Sequence, residues 1–356
     1  MNSFSHKLIK WYQNNKRDLP WRNTKDAYLI WLSEIILQQT RVEQGLAYYL
    51  KFASTFPTVK HLAKAKNEEV MKLWQGLGYY SRARNLHTTA KIIVNKYKGK
   101  FPINHADILS LKGIGDYTAA AITSFAYNQP YAVVDGNVYR VLARVYGIDT
   151  PIDSSQGKKE FSLLANELIS QKHPAIHNQA IMEFGAMQCT PVSPNCEDCP
   201  LIAMCFAHQH KSVSSFPIKS KTTKVRNRYF NYIILNQKGL VVINKRINKD
   251  IWTNLYDFPL IETEKEQTED ELFSSSEWEK FFGKNKFYMT SITHAKKHIL
   301  SHQHIYARFI EIECLSPIKK ICPNSAILIN HEEIKKYAVP RLVELYLKNK
   351  EKQLST

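Results

Sequence analysis

The stretch LKGIGDYTAAAI, residues 111–122, sets two glycines one residue apart ahead of an unbroken helical run. Gly113 and Gly115 permit a tight turn with positive φ. The helix behind them points unpaired N–H groups outward, which suits a phosphate. Thr118 lies in that first turn, and ILSL just upstream supplies a preceding helix. The unit therefore reads as helix–hairpin–helix, with Gly113, Gly115 and Thr118 as its phosphate-facing residues. Tyr117 stands in the same turn, where a large aromatic has no obvious duty.

Charge gives the hairpin a partner. The 356-residue chain carries 49 Lys+Arg against 32 Asp+Glu, a net charge of +17. Residues 1–224 hold 28 basic against 16 acidic side chains, and the remainder 21 against 16, so most of the excess lies in the first part. Phosphate neutralisation rewards such a surface, and a hairpin of this kind grips a DNA backbone without reading its sequence. At 44% apolar residues the composition is globular. No apolar run reaches membrane-spanning length, and the opening MNSFSHKLIKWYQNNKR has no export signal. The expectation is a cytoplasmic protein.

The texture changes once along the chain. HKLIKWYQ, DAYLIWLSEIILQQT, NEEVMKLWQGL, NVYRVLARVYG and GKKEFSLLANELIS carry apolar residues at helical spacing. Asp26 fits an N-cap and Gly147 a helix stop. Residues 208–224 are polar, basic and without period, which predicts a linker. Beyond it, RYFNYIILNQKGLVVINKR reads as a hairpin, KFYMTSITHAKKHILSHQHIYARFIEIEC as further strands, and SSSEWEKFFG and HEEIKKYAVPRLVELYLK as helices. The expected organisation is an all-α domain over 1–207, a linker over 208–224 and an α+β domain over 225–356.

Four of the six cysteines fall in CTPVSPNCEDCPLIAMC, as Cys189, Cys196, Cys199 and Cys205, spaced C-x6-C-x2-C-x5-C. Thiols this close in a reducing compartment suit a metal, and four thiolates fit either zinc or an iron–sulfur cluster. Cys314 and Cys322 stand apart and read as ordinary thiols.

Two acids carry the chemistry. Glu34 lies in LIWLSEIILQQ among apolar neighbours. Desolvation there raises a carboxyl pKa and keeps a proton available for general-acid work; an exposed stripe or an arginine partner would be the structural alternative. Asp135, in YAVVDGNVYRV, fits a helix N-cap shared with Asn137. It equally fits an ionised group facing a developing positive charge. Two carboxylates in contrasting environments are the means of cleaving a glycosidic bond. The N-glycosidic bond of DNA is the natural analogue.

Taken together, LPWR (19–22), SEIILQQTRV (33–42), QGLGYYSRARNL (75–86), LKGIGDYTAAAI, VVDGNV (133–138), NQAIMEFGAMQCTP (178–191) and the four cysteines resemble the adenine DNA glycosylases of the MutY type. That family belongs to the helix–hairpin–helix superfamily that also holds endonuclease III. The resemblance runs in order from residue 7 to about 205. Residues 225–345 are similar, more loosely, to the family's Nudix-like 8-oxoguanine recognition domain, without a Nudix-box array of glutamates, so that domain is expected to bind and not hydrolyse.

The resemblance implies a [4Fe–4S] cluster on the cysteines and excision of adenine opposite 8-oxoguanine or guanine in duplex DNA by a monomer, associated with the nucleoid by function. Glu34 would protonate adenine N7 and later activate water. Asp135 would stabilise or capture the sugar cation, with Tyr117 in support and Asn137 ordering the carboxylates. Arg17, Leu19, Trp21, Arg22 and Gln179 would line the adenine pocket. Gln39, between Gln38 and Thr40, would wedge into the duplex, and Tyr79 would lie beside 8-oxoguanine. HILSH (298–302) falls where the family has a Phe-Ser-His loop; Ser301 and His302 match, and Leu300 replaces the Phe. Lyase relatives carry a nucleophilic lysine where this chain has Tyr117, so the resemblance favours base removal without strand cleavage. A binding protein without catalysis would not need both carboxylates.

Overall fold

The computed structural model describes residues 3–220, 225–318, 321 and 326–354. The chain divides into two compact units, one of residues 1–64 and 85–221, the other of 65–84 and 222–356.

Helices build the first unit: α1 (Ser3–Asn15), α2 (Ala27–Leu37), α3 (Val42–Thr55) and α4 (Val59–Lys64) precede the excursion into the second unit. That excursion holds α5 (Asn67–Trp74) and the first turn of α6 (Ser81–Tyr97). The rest of α6 leads on to α7 (His105–Leu109), α8 (Asp116–Tyr127), α9 (Gly136–Tyr146), α10 (Ser155–Leu168), α11 (Pro174–Met187) and α12 (Phe206–Gln209).

Nine of the eleven residues of α2 are buried, and Asp26 caps it by accepting from Tyr28 N at 2.8 Å. Helix α9 buries Val138, Val141, Leu142 and Val145 against Leu8, Phe161, Ile181 and Phe184, and Gly147 ends it in the left-handed region at φ 68°. Its first turn lies tight on α11. A Cβ placed on Gly185 would stand 2.7 Å from Asn137 Cβ and 2.9 Å from Asn137 O. Only glycine lets the two helices approach this closely.

The second unit is built on a mixed sheet of β1 (Arg226–Gln237), β2 (Leu240–Lys245), β3 (Tyr256–Asp257), β4 (Leu260–Thr263), β5 (Phe287–Ile292), β6 (Lys296–Ile299), β7 (Gln303–Cys314) and β8 (Ala326–Asn330). The central order is β3-β2-β1-β7-β5, with β4 on β1, β6 on β7 and β8 on β2. Strands β1 and β7 run parallel, Tyr232 facing Phe309, and the other pairs are antiparallel. Lys238 and Gly239, both at positive φ, turn β1 into β2 as the hairpin pattern predicts. Helices α13 (Glu269–Phe273) and α14 (Ser276–Phe282) cover the sheet through Leu272, Trp278 and Phe282, and α15 (Arg341–Leu354) follows Pro340.

Two expectations change. Residues 65–84 belong to the second unit, where Lys72 Nζ donates to Tyr337 O at 2.9 Å and Arg84 Nη1 to Thr253 O at 2.8 Å. The segment expected to be a linker is laid on the first unit as far as Ser220. Ile152 N donates to Ile218 O at 3.0 Å, and Ser220 N to Asp153 Oδ1 at 3.0 Å. Residues 221–224, and Cys322, lie outside the described residues. Long-range hydrogen bonds, which have no composition signature, decide both cases.

Because Gly185 is the contact that seats the first turn of α9, Gly185→Ala is expected to shift Asp135 and Asn137 while α9 still forms. Overpacking of this kind costs roughly 1–3 kcal/mol. The variant should keep its far-UV circular dichroism, melt several degrees lower and lose more than tenfold in activity.

Candidate active site

Glu34 sits mid-way along α2, 8% exposed. Burial drives its pKa up, the nearby charge of Asp135 adds to that, and Tyr117 and Arg22 oppose it; the result is about 7. Tyr117, in the first turn of α8, has two acceptors in reach: the Glu34 carboxylate and, at 3.4 Å, Met182 Sδ. Its one proton goes to the carboxylate, the stronger acceptor. Burial and the neighbouring Glu34 and Asp135 hold the phenol well above its usual pKa.

Asp135 is the N-cap of α9, and both readings of it hold locally. Oδ1 accepts from Asn137 N at 2.9 Å and Val138 N at 2.8 Å, and Oδ2 from Asn137 Nδ2 at 2.8 Å. Burial lifts its pKa above the usual carboxylate value, and these donors and Arg140 oppose that rise without cancelling it. Asn137 is fixed in turn, its Oδ1 taking Arg140 Nη2 at 2.8 Å. Arg140 Nε donates to Cys189 O at 2.8 Å, so a chain of hydrogen bonds joins Asp135 to the first cysteine of the loop.

These groups face one cavity of about 340 Å³, lined also by Arg17, Leu19, Trp21, Arg22, Thr40, Gln179 and Glu183. Glu183, 1% exposed, orders the arginines. Arg17 reaches it through Nε at 2.9 Å and Nη2 at 2.7 Å, and Arg22 through Nη1 at 3.0 Å and Nη2 at 2.7 Å. Burial opposes its charge, but the arginine bonds win and its pKa falls to about 2. Tyr12 Oη donates to Gln179 Oε1 at 2.8 Å, which fixes the amide oxygen. Trp21 packs edge-on to Tyr49 at 5.2 Å, so it is at once core and cavity wall.

Other expected residues lie elsewhere. Gln38 bonds Thr118 Oγ1 at 3.3 Å and, like Gln39, does not line the cavity. Gln39 is exposed with φ 55°, a strained position for a non-glycine residue. Thr118, 2% exposed, serves the α2–α8 contact, so its side chain is withdrawn from the surface expected for it. Gly113 has φ 79°, with the Asn85 side chain 2.7 Å from where a Cβ would be. Gly115 is extended at φ −105°, contrary to the expected positive φ, and a Cβ there would meet nothing within 4 Å. It caps α8, and the space around its Cα is open.

The four cysteines line one small cavity of about 20 Å³ beside α9. Arg144 Nη1 lies 3.4 Å from Cys189 Sγ and donates to Thr190 O at 2.7 Å, which fastens the loop. Burial holds the Cys196, Cys199 and Cys205 thiols above their ordinary pKa, Cys199 at about 11. Among the described residues no three His, Cys, Asp or Glu side chains are gathered as a ready single-ion site. A set of four soft donors around one cavity, unlinked by disulfides, fits a sulfur-bridged iron cluster chemically.

Within the second unit, Tyr79, Leu300, Ser301 and His302 line a separate cavity of about 640 Å³. Tyr79, at φ 47° and 46% exposed, bonds the Ser301 hydroxyl through its own. The turn from β6 to β7 closes with Leu300 N donating to Gln303 O at 2.9 Å.

Residues 32–167 match the HhH-GPD superfamily of base excision DNA repair proteins, and residues 231–349 match a NUDIX domain. An adenine DNA glycosylase of Buchnera aphidicola subsp. Schizaphis graminum (strain Sg) is 36% identical over 308 residues, covering 86% of this chain and 84% of the relative. One from Rattus norvegicus is 35% identical over 317 residues, covering 74% of this chain and 61% of that protein. The chain belongs to the adenine DNA glycosylases. Among solved structures, a thermostable thymine-DNA glycosylase is 30% identical with a TM-score of 0.55, over 58% of this chain and 95% of its own. No described helix is long and apolar enough to cross a membrane.

For this adenine DNA glycosylase, sequence reading passed over Glu183, Met182, Arg140 and Tyr12. Glu183 had a usable signal, since in AIMEFGAM it is an acid among apolar residues just as Glu34 is. The other three look like ordinary core or surface positions.

The raised pKa of Glu34 has a stability consequence. A glutamate in the unfolded chain ionises near 4.5, whereas the folded one holds its proton to about 7. Between these values the native state binds a proton the unfolded chain has released, so stability falls as pH rises, by on the order of 3 kcal/mol in all. Glu34→Gln is therefore expected to melt higher than the parent at pH 8 and level with it at pH 4. Melting curves at both pH values check this; a variant no more stable at pH 8 contradicts the buried acid.

Proposed function

We propose that the protein hydrolyses the N-glycosidic bond of adenine mispaired with 8-oxoguanine, or with guanine, in duplex DNA, and leaves the strand intact. The observation that carries this reading is one cavity lined by two carboxylates with contrasting hydrogen-bond partners. Glu34 has one hydrogen bond, from the Tyr117 hydroxyl, and the more distant charge of Arg22 to favour its ionised form and keeps a proton near neutrality, while Asp135 accepts three N–H groups that favour its charge against burial. The flipped adenine takes the Glu34 proton at N7. The C1′–N9 bond then breaks, with its electron pair leaving on the base. Asp135 faces the sugar cation and either stabilises or captures it. Water adds at C1′, and its proton returns to Glu34.

The arginine pair held by Glu183, with Leu19, Trp21 and Gln179, gives the base its pocket. Gln39, exposed on a left-handed turn, is the wedge, and Gly113 and Gly115 hold the backbone. Tyr79, Ser301 and His302 form the 8-oxoguanine contact, with Leu300 unable to stack as an aromatic ring would. Among the described residues lining the cavity there is no lysine, which favours hydrolysis over a Schiff-base lyase. The protein acts as a monomer.

Incubation with a duplex bearing adenine opposite 8-oxoguanine, followed by alkali, should cleave the adenine strand at that base. Glu34→Gln should lose at least a thousandfold in rate and still bind the duplex. Borohydride should trap no substantial adduct; efficient trapping, or no alkali-labile site at saturating enzyme, would refute the proposal.

We further infer that Cys189, Cys196, Cys199 and Cys205 hold a [4Fe–4S] cluster. When bound, such a group supplies four iron–thiolate links that tie the loop together beside α9. Protein purified without oxygen should contain about four iron and four acid-labile sulfide per chain. One zinc per chain and no sulfide would replace the cluster with the other metal that four thiolates accept.

A further inference from the structure

The cavity that holds Glu34 has a second layer behind its wall. Gln179, on α11, lines that cavity and also a neighbouring one of about 440 Å³. Tyr12, buried on α1, lines only the neighbouring one. It reaches Gln179 without itself facing the two carboxylates.

Tyr12 Oη lies 2.8 Å from Gln179 Oε1, and among the described residues it has no other hydrogen-bond partner. A buried hydroxyl proton left without an acceptor is costly, so this proton goes to the amide oxygen. That choice settles the polarity of the amide. The two ends of a glutamine amide are nearly alike in shape, and a free side chain can turn either toward a ligand. With Oε1 held, Nε2 is the end left over, and no acceptor for it is seen among the described residues. The tyrosine is held in turn, with the Arg22 guanidinium over its ring at 5.6 Å.

We propose that Tyr12 is a positioning residue that sets base specificity: by holding Gln179 Oε1, it makes the amide a donor to the bound adenine and selects for a ring nitrogen that accepts. With N7 met by Glu34, adenine offers N1 and N3. A base carrying C–H at the nitrogen concerned leaves the amide N–H₂ unpaired and is rejected. The inference rests on the reading that the flipped adenine enters the Glu34 cavity. What it adds is the source of the amide's polarity, in a residue that the base never touches.

Single-turnover excision from duplexes carrying adenine, 1-deazaadenine or 3-deazaadenine tests it. The parent should excise one of the two deaza bases at least about tenfold more slowly than adenine. Tyr12→Phe keeps the ring beneath Arg22 and loses only the hydroxyl. In that variant the ratio of adenine to the same deaza base should be about fivefold smaller. The intrinsic reactivity of each base cancels between the two proteins, and a merely structural role would slow all three bases alike. In a Gln179→Ala background, Tyr12→Phe should leave the ratio unchanged, because the amide it acts through is gone. An unchanged ratio in Tyr12→Phe, or an equal change with Gln179 removed, overturns the role of Tyr12 while adenine excision stands. A parent protein that leaves adenine in place refutes the reading of the cavity and this inference with it.

Discussion

A carboxyl group held in an apolar helix is the constraint around which the first unit is arranged. Burial leaves little water to solvate Glu34, so the surroundings decide how far it ionises. Tyr117 gives it one hydrogen bond, and Arg22 is near enough to act by charge but commits its own hydrogen bonds to Glu183 and to Arg17 O. Had Arg22 paired directly with Glu34, the acid would have been a permanent carboxylate with no proton to give. Glu183 therefore does more than anchor two arginines. By absorbing their charge, it leaves Glu34 close to neutral pH.

This division of labour explains which parts of the site were legible. Glu34, Asp135 and the cysteines announce themselves through local pattern: an acid in an apolar run, an Asp-Gly-Asn before a helix, four thiols within seventeen residues. Their partners do not. Glu183 is 166 residues from Arg17, and Arg140 reaches Cys189 across 49, so only the packing of α9, α11 and the first turns of the chain brings them together. The helices with strong apolar period were readable nearly to their ends. Gly115 was misread because Gly-x-Gly suggests two positive φ values and the turn needs one, at Gly113. The domain boundary was blurred for a similar reason. Residues 65–84 carry the same helical texture as their neighbours, and only their partners Tyr337 and Thr253 assign them.

Asp135 shows why the structural and catalytic readings of one residue need not compete. As an N-cap it must accept N–H groups at the start of α9, and those same bonds favour its charged form. The helix terminus thus supplies the electrostatics that burial alone would deny it. An asparagine there could still cap, since its side-chain oxygen accepts the same two amides, yet it would bring no negative charge to the cavity. The cap sets the position and the acid supplies the charge. Gly185 and Asn137 matter because they hold the position to the tolerance that the charge requires.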